Sequence, residues 1–339
     1  MRSVMSWIRF TGYLFIVLVA LLLIEVLSFS SIYFLQHKYN SLIFDPELIV
    51  DFKPFESDNY SSVLGWTTLI EERDEIGARL NYDVYESTCI DMFGDSFTFS
   101  AGVAKEFAWP KQLSTILGCK VNNFGVGGYG SDQAVLRHEL TVALSKISVL
   151  NHLSENIIRN VNQFRSLIYP GPNSTINTKP RYILTPDEKL ILIEKPDLLE
   201  ADLSSLENLR SKLKYEYFLP EGESGIKMDV TFPYLLSALD LAINHWHIRS
   251  KIKGQTRHTE FYDYSHPSNG LLLTEKIFDK FVRDSEDKGQ IPIITIIPSC
   301  RDLEEFKLHG GLPYQVMIDR LKSKGFLFYD FSSAFLHEK

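Results

Sequence analysis

Cysteine is scarce in this chain: its 339 residues hold three, Cys89, Cys119 and Cys300. They are far apart and odd in number, so the sequence offers neither a disulfide framework nor a Cys-x-x-Cys metal site. Cys89 lies in an apolar run and reads as a small core residue. Basic tracts are missing too. With 43 acidic against 35 basic residues, a formal net charge of −8 and no basic-aromatic alternation, no nucleic-acid partner is expected. The acidity is mild and speaks for solubility, not for a particular ligand. Internal repeats and low-complexity segments are also absent. What remains is 45% hydrophobic and 13% aromatic, the composition of a well-filled globular core. The length accommodates one α/β domain of roughly 200 to 250 residues with an anchor and insertions.

Charge is nearly missing from residues 12–35, an apolar stretch interrupted mainly by Glu25 and by Ser28, Ser30 and Ser31. A helix needs about 20 apolar residues to cross the hydrocarbon core, and this run suffices. Arg2 and Arg9 precede it and Lys38 is the one nearby lysine after it. The positive-inside tendency then puts the N-terminus in the cytoplasm and the main domain outside it, in the periplasm if the cell has one. Glu25 opposes this reading by roughly 2 to 3 kcal/mol, a cost that protonation or a partner helix would offset. A cleavable signal peptide fits less well, because the run exceeds a typical h-region and no Ala-x-Ala site follows. A buried core helix fits worst. The expected layout is an anchor at 1–36, a tether at 37–62 and a domain at 63–339.

Within that domain, strand-like and helical segments alternate, which predicts a parallel sheet with helices on both faces. Strands are expected at 89–93, 120–126, 147–153, 291–297 and 326–331. Helices are expected from Trp109-Pro110 to Gly118, and over 131–145, 271–288 and 314–324. Between about 169 and 270 the rhythm breaks, and this stretch reads as an insertion or cap. It carries a hairpin (181–184 with 190–194) and an amphipathic helix near 233–252.

Chemistry gathers where the first three strands end, the natural crevice of an open parallel sheet. Ser96 follows strand one in Gly94-Asp95-Ser96. A serine at such a turn can attack a carbonyl while its own N–H supports the oxyanion. Alone, these are ordinary turn residues. The second strand leads into Asn123-Phe-Gly-Val-Gly-Gly-Tyr-Gly130. Its glycines let the backbone approach a ligand closely and offer N–H donors. A flexible turn or a phosphate loop would look similar, but the spacing does not fit Gly-x-Gly-x-x-Gly. The third strand leads into Ser154-Glu155-Asn156. The Asn156 amide can donate to the same oxyanion, although alone it reads more readily as a helix cap.

Together these blocks resemble the SGNH (GDSL) hydrolases, in a membrane-anchored bacterial branch. Gly94-Asp-Ser-Phe97 matches the first block with phenylalanine for leucine. Asn123-x-Gly125-x-x-Gly128 matches the second, and Ser154-Glu-Asn-Ile157 matches the third at the asparagine alone. The resemblance implies a flavodoxin-like three-layer fold and ester hydrolysis or acyl transfer on an acylated carbohydrate or lipid, without metal or organic cofactor. It makes Ser96 the nucleophile, with the Ser96 and Gly128 N–H groups and the Asn156 amide as the oxyanion hole.

The family's base, an Asp-x-x-His after the last strand, has no counterpart here. His337 is wrongly spaced from Asp330. The one such motif, Asp263-Tyr-Ser-His266, precedes a helix and the fourth strand, and reads as a turn with Pro267–Gly270. His245 and His247 read as structural. A serine without a base is a poor nucleophile. The alternatives are a catalytically inactive glycan-binding or assembly protein and a truncated enzyme. Reading the coding DNA beyond Lys339 separates them. A purely structural membrane protein ranks last.

Overall fold

The computed structural model describes residues 2–39, 41–46, 60–80, 85–170 and 178–336. Much of the tether, 47–59, and His337 lie outside the described residues. Five segments rich in β-branched and aromatic residues become strands: β1 (Thr88–Gly94), β2 (Lys120–Gly125), β3 (Ile147–Leu153), β4 (Ile291–Ile297) and β5 (Phe328–Asp330). They pair in parallel in the spatial order β2-β1-β3-β4-β5. This is the flavodoxin-like order, in which ligands collect beyond the carboxyl ends of the strands.

Alternation along each strand divides the core into two faces. Ile90, Met92, Val121 and Val149 point one way, against Trp109 and Leu113 of α3 (Trp109–Leu117). Phe93, Phe124, Leu150, Ile294 and Ile296 point the other way. There they meet α4 (Ser131–Leu140) and α8 (Gly270–Asp287), which supply Ala134, Val135, Ile277 and Phe281. α9 (Cys300–His309) and α10 (Gln315–Lys324) complete the last crossover. The stretch after β3 joins this same core: Leu209, Phe218, Trp246 and Phe261 are fully buried in it. Its hairpin pairs Arg181–Leu184 with Leu190–Ile193.

Three sequence expectations need correction. Cys89 is not a free core thiol but is disulfide-bonded to Cys119, with Cα atoms 5.9 Å apart. The two cysteines lie at adjacent strand starts, a proximity that parallel pairing creates and sequence distance hides. α4 ends at Leu140, short of Ser145. The buried Asp91 carboxylate on β1 accepts from the Leu144 N–H (3.1 Å) and the Ser145 hydroxyl (2.9 Å), drawing that segment into a loop. The helix expected over 233–252 is two, α6 (Tyr234–Asn244) and α7 (Trp246–Ile252). His245 breaks them: extended in backbone, it accepts from the Ile248 N–H through Nδ1 as a cap, while Nε2 bonds the Ser41 carbonyl.

The N-terminal apolar run forms α1 (Arg2–Tyr39). An 18-residue window within its 10–39 portion has a mean hydropathy of 2.6, and the portion is long enough to cross a membrane. Most of its side chains are exposed, but Ser28 and Ile32 are buried against α6.

Candidate active site

Ser96 stands directly beyond β1 as the first residue of a single-turn helix, α2 (Ser96–Phe99). A first helical N–H has no intrahelical acceptor, so it remains a donor for a ligand. Asp95 caps the turn by accepting from the Phe97 N–H at 2.9 Å. The Ser96 side chain is half-buried, and among the described residues its hydroxyl has no hydrogen-bond partner.

The end of β2 is fitted closely against α2. A Cβ on Gly125 would lie 2.3 Å from the Phe99 nitrogen, so only glycine allows the approach. Asn123 ties the two together: its Nδ2 donates to the Thr98 carbonyl (2.9 Å) and its Oδ1 accepts from the Gly125 N–H (3.0 Å). Beyond lies Gly128 at φ +80°, where a Cβ would sit 2.7 Å from the Arg165 guanidinium. Trp66 and Tyr129 hold this loop. The indole donates to the Gly127 carbonyl (2.9 Å) and the phenol to the Trp66 carbonyl (2.5 Å).

Asn156 opens α5 (Asn156–Asn160) beyond β3. It is not the cap that its residue type suggested: Glu155 occupies that position, and Asn156 Oδ1 accepts from Arg159 at 3.0 Å. Its Nδ2 is buried without a partner in good geometry, although the amide lies close enough to Asp95 to help hold that carboxylate.

Arg159 links all three strand ends. Its Nη1 reaches Asp95 Oδ2 (3.2 Å), the Tyr129 carbonyl (3.0 Å) and Asn156 Oδ1. One buried guanidinium thus ties the neighbour of Ser96, the neighbour of Gly128 and Asn156 itself. Burial pushes the Asp95 carboxyl up, while Arg159, the Phe97 N–H and Asn156 pull it down. Arg165 donates to the Gly128 carbonyl (2.8 Å). Arg165 and Arg257 lie over the Tyr169 ring at 4.4 and 4.3 Å. Burial and the neighbouring Arg159 bring Arg165 down to about 9. Burial favours a neutral Glu155, but Arg257 and Arg159 overcome it and hold that carboxylate at about 2. The crevice rim is therefore cationic, a field suited to developing negative charge. Sequence reading passed over Arg159 and Arg165. Their only signal was arginine three and nine residues after a strand-end asparagine.

Asp263 and His266 form a turn. Asp263 Oδ1 accepts from the Ser265 N–H and hydroxyl, and His266 Nδ1 bonds the Ser268 hydroxyl at 2.7 Å. Burial pushes His266 down to about 4, and its ring packs on Phe261. These residues line a separate cavity of about 670 Å³ with Arg249 and Tyr264. A second imidazole–carboxylate pair escaped notice in the sequence. His258 Nε2 bonds Asp302 Oδ1 at 2.7 Å, and Ser154 donates to the other Asp302 oxygen at 2.5 Å. No hydrogen bond joins this pair to Ser96 among the described residues.

No family model matches the chain, and no curated protein matches it. Solved structures do. One is a protein of the G-D-S-L family from Desulfitobacterium hafniense DCB-2, at 14% identity and TM-score 0.32, covering 73% of this chain and 79% of that one. Another is AlinE4, an SGNH-hydrolase family esterase, at 22% identity and TM-score 0.21, over 23% of this chain and 46% of that one. A serine-to-alanine mutant of the same esterase matches at 15% identity and TM-score 0.21, over 60% and 96%. These three matched structures are of GDSL and SGNH-family proteins.

Proposed function

We propose that the chain is an SGNH-type serine ester hydrolase or O-acyltransferase, held on the far side of a membrane by α1 and acting on an acylated carbohydrate or lipid. The observation that carries this reading is the Arg159 guanidinium bonded to Asp95, the Tyr129 carbonyl and Asn156, which draws the three strand-end blocks to one place beside Ser96. The Cys89–Cys119 disulfide supports an oxidising compartment.

In the proposed reaction the Ser96 hydroxyl oxygen attacks the acyl carbon. The Ser96 and Gly128 N–H groups and the Asn156 amide stabilise the oxyanion, each such donor contributing on the order of 10²–10³ in rate. The carbon–alkoxy bond breaks, and the alkoxide leaves as an alcohol with the proton taken from Ser96. Water or a second hydroxyl then attacks acyl-Ser96, yielding an acid or a new ester and restoring the serine. The base that carries the proton is unassigned. On short acyl esters, the full chain should lose turnover in Ser96→Ala, and turnover that persists in that variant refutes the assignment.

One observation favours a second reading. Among the described residues, no imidazole is bonded to Ser96. A glycan-binding or assembly protein that keeps the crevice would bind an acylated oligosaccharide saturably without cleaving it.

A further inference from the structure

α6 is 11 residues long and apolar, and it leaves Leu236, Leu239 and Ile243 exposed by 61, 49 and 64%, with Phe232 just before it exposed by 71%. Its opposite face packs on α1. Leu241 and Ala238 meet Ile32 and Leu35, and the Tyr234 ring lies 4.9 Å from Phe29. An apolar helix of 10 to 14 residues is too short to span a bilayer and suits a core helix or a re-entrant segment. The exposed leucine face speaks against the core.

The path of the chain decides the matter. Lys227 pairs its backbone with Leu42 and Phe44 (2.9 and 2.7 Å), just beyond the polar end of α1. Seven residues later the Tyr234 N–H meets the Glu25 carboxylate at 2.5 Å, and the Leu235 N–H meets it at 3.4 Å. Glu25 lies ten positions inward from Leu35, about 15 Å along the helix, or about half the thickness of the hydrocarbon core. Seven extended residues cover about 23 Å, enough for that descent. α6 then returns about 16 Å, ending where His245 bonds the Ser41 carbonyl at 2.9 Å. At the depth of the turn the backbone is provided for: Glu25 takes the first helical N–H groups, and the Ser237 hydroxyl donates to the Thr231 carbonyl (2.9 Å). Such internal satisfaction is what lipid demands of a polar backbone. Asp240, about 9 Å along α6 from Tyr234, is ion-paired by Lys227 (2.5 Å), whose backbone is held just beyond the α1 terminus.

We propose that residues 228–244 form a re-entrant hairpin whose Phe232, Leu236, Leu239 and Ile243 face the acyl chains of one leaflet, with Glu25 of α1 capping its helix inside the bilayer. The inference rests on reading α1 as membrane-spanning. It gives the otherwise costly Glu25 a partner and docks the catalytic domain on the membrane at a fixed height.

The test uses the full chain in a Cys300→Ser background, with single cysteines from Leu22→Cys on α1, Leu239→Cys and Ile243→Cys on the hairpin, and Leu308→Cys as an aqueous control. Each is labelled with bimane in phosphatidylcholine–phosphatidylglycerol vesicles. Acyl-brominated lipid should quench the Leu22, Leu239 and Ile243 probes several-fold, and aqueous iodide should quench only the Leu308 probe. Lipid quenching at Leu22 with iodide quenching at Leu239 and Ile243 overturns the hairpin and leaves the anchor standing. Iodide quenching at all positions overturns both. Hairpin probes shielded from both quenchers, with dimers trapped by crosslinking, mean that a second copy covers this face, and also overturn the proposal.

Discussion

Arg159→Met should be far more damaging than an ordinary surface change. The guanidinium is buried, with a side-chain exposure of 8% against 1% for its partner Asp95. Removing one member of a buried pair typically costs about 3–5 kcal/mol, because the other charge stays behind uncompensated. For a domain of this size that is a fall of roughly 6–20 °C in Tm, readable by thermal melting of the full chain in detergent micelles. The pH dependence carries the sharper signature. Burial already pushes the Asp95 carboxyl up, and Arg159 opposes it. Without Arg159 the folded-state value rises further. The charged carboxylate then penalises the fold at neutral pH, whereas below about pH 4 the group is protonated in both states and the penalty disappears. Glu155 adds in the same direction. Held at about 2 by Arg257 and Arg159, it contributes stability above the ordinary carboxylate range that is lost as pH falls through its folded value. The deficit of the variant should therefore be largest near pH 7.5 and shrink on acidification. Arg159→Lys, which keeps the charge but loses the fork, should fall between. A Tm within 2 °C of wild type (a margin of about 1 kcal/mol or less), or a deficit that grows toward acid, would show that this guanidinium does not hold the strand ends.

Opening the Cys89–Cys119 bridge, with a sequence separation of 30, should cost about 3–4 kcal/mol. Melting of the double Cys→Ser variant and of reduced wild type should agree, and no effect of reductant would mean the thiols are unpaired. Gly128→Ala places a Cβ at φ +80° against Arg165, a strain of about 1–3 kcal/mol. It should lower acyl-ester turnover more than Tm, and unaltered kinetics would remove Gly128 from the site. His266→Ala should leave the rate of phosphonate labelling at Ser96 unchanged, since His266 is bonded to Ser268. Loss of labelling would instead make it the base.

The sheet was readable because its strands are short runs of β-branched and apolar residues. β3 and β4 fall on the expected 147–153 and 291–297. Strand-end loops followed from glycine and asparagine placement. What stayed hidden depends on long-range partners. The carboxylate of Asp91 sets where α4 stops, Ser41 helps fix the break at His245, and parallel pairing brings Cys89 to Cys119. The arginines that organise the crevice were equally opaque, since their role exists only once Asp95, Tyr129 and Asn156 meet. Glu25 looked like an objection to a membrane helix because its partners, the N–H groups of Tyr234 and Leu235, lie 209 and 210 residues away.

The central proposal is that Ser96 is the nucleophile at a three-strand crevice. Treating the full chain with a fluorophosphonate and mapping the adduct by peptide mass spectrometry tests it most directly. The account predicts one phosphonylated peptide, modified at Ser96 and missing from Ser96→Ala. An unmodified Ser96 under conditions that label an active serine esterase would contradict it.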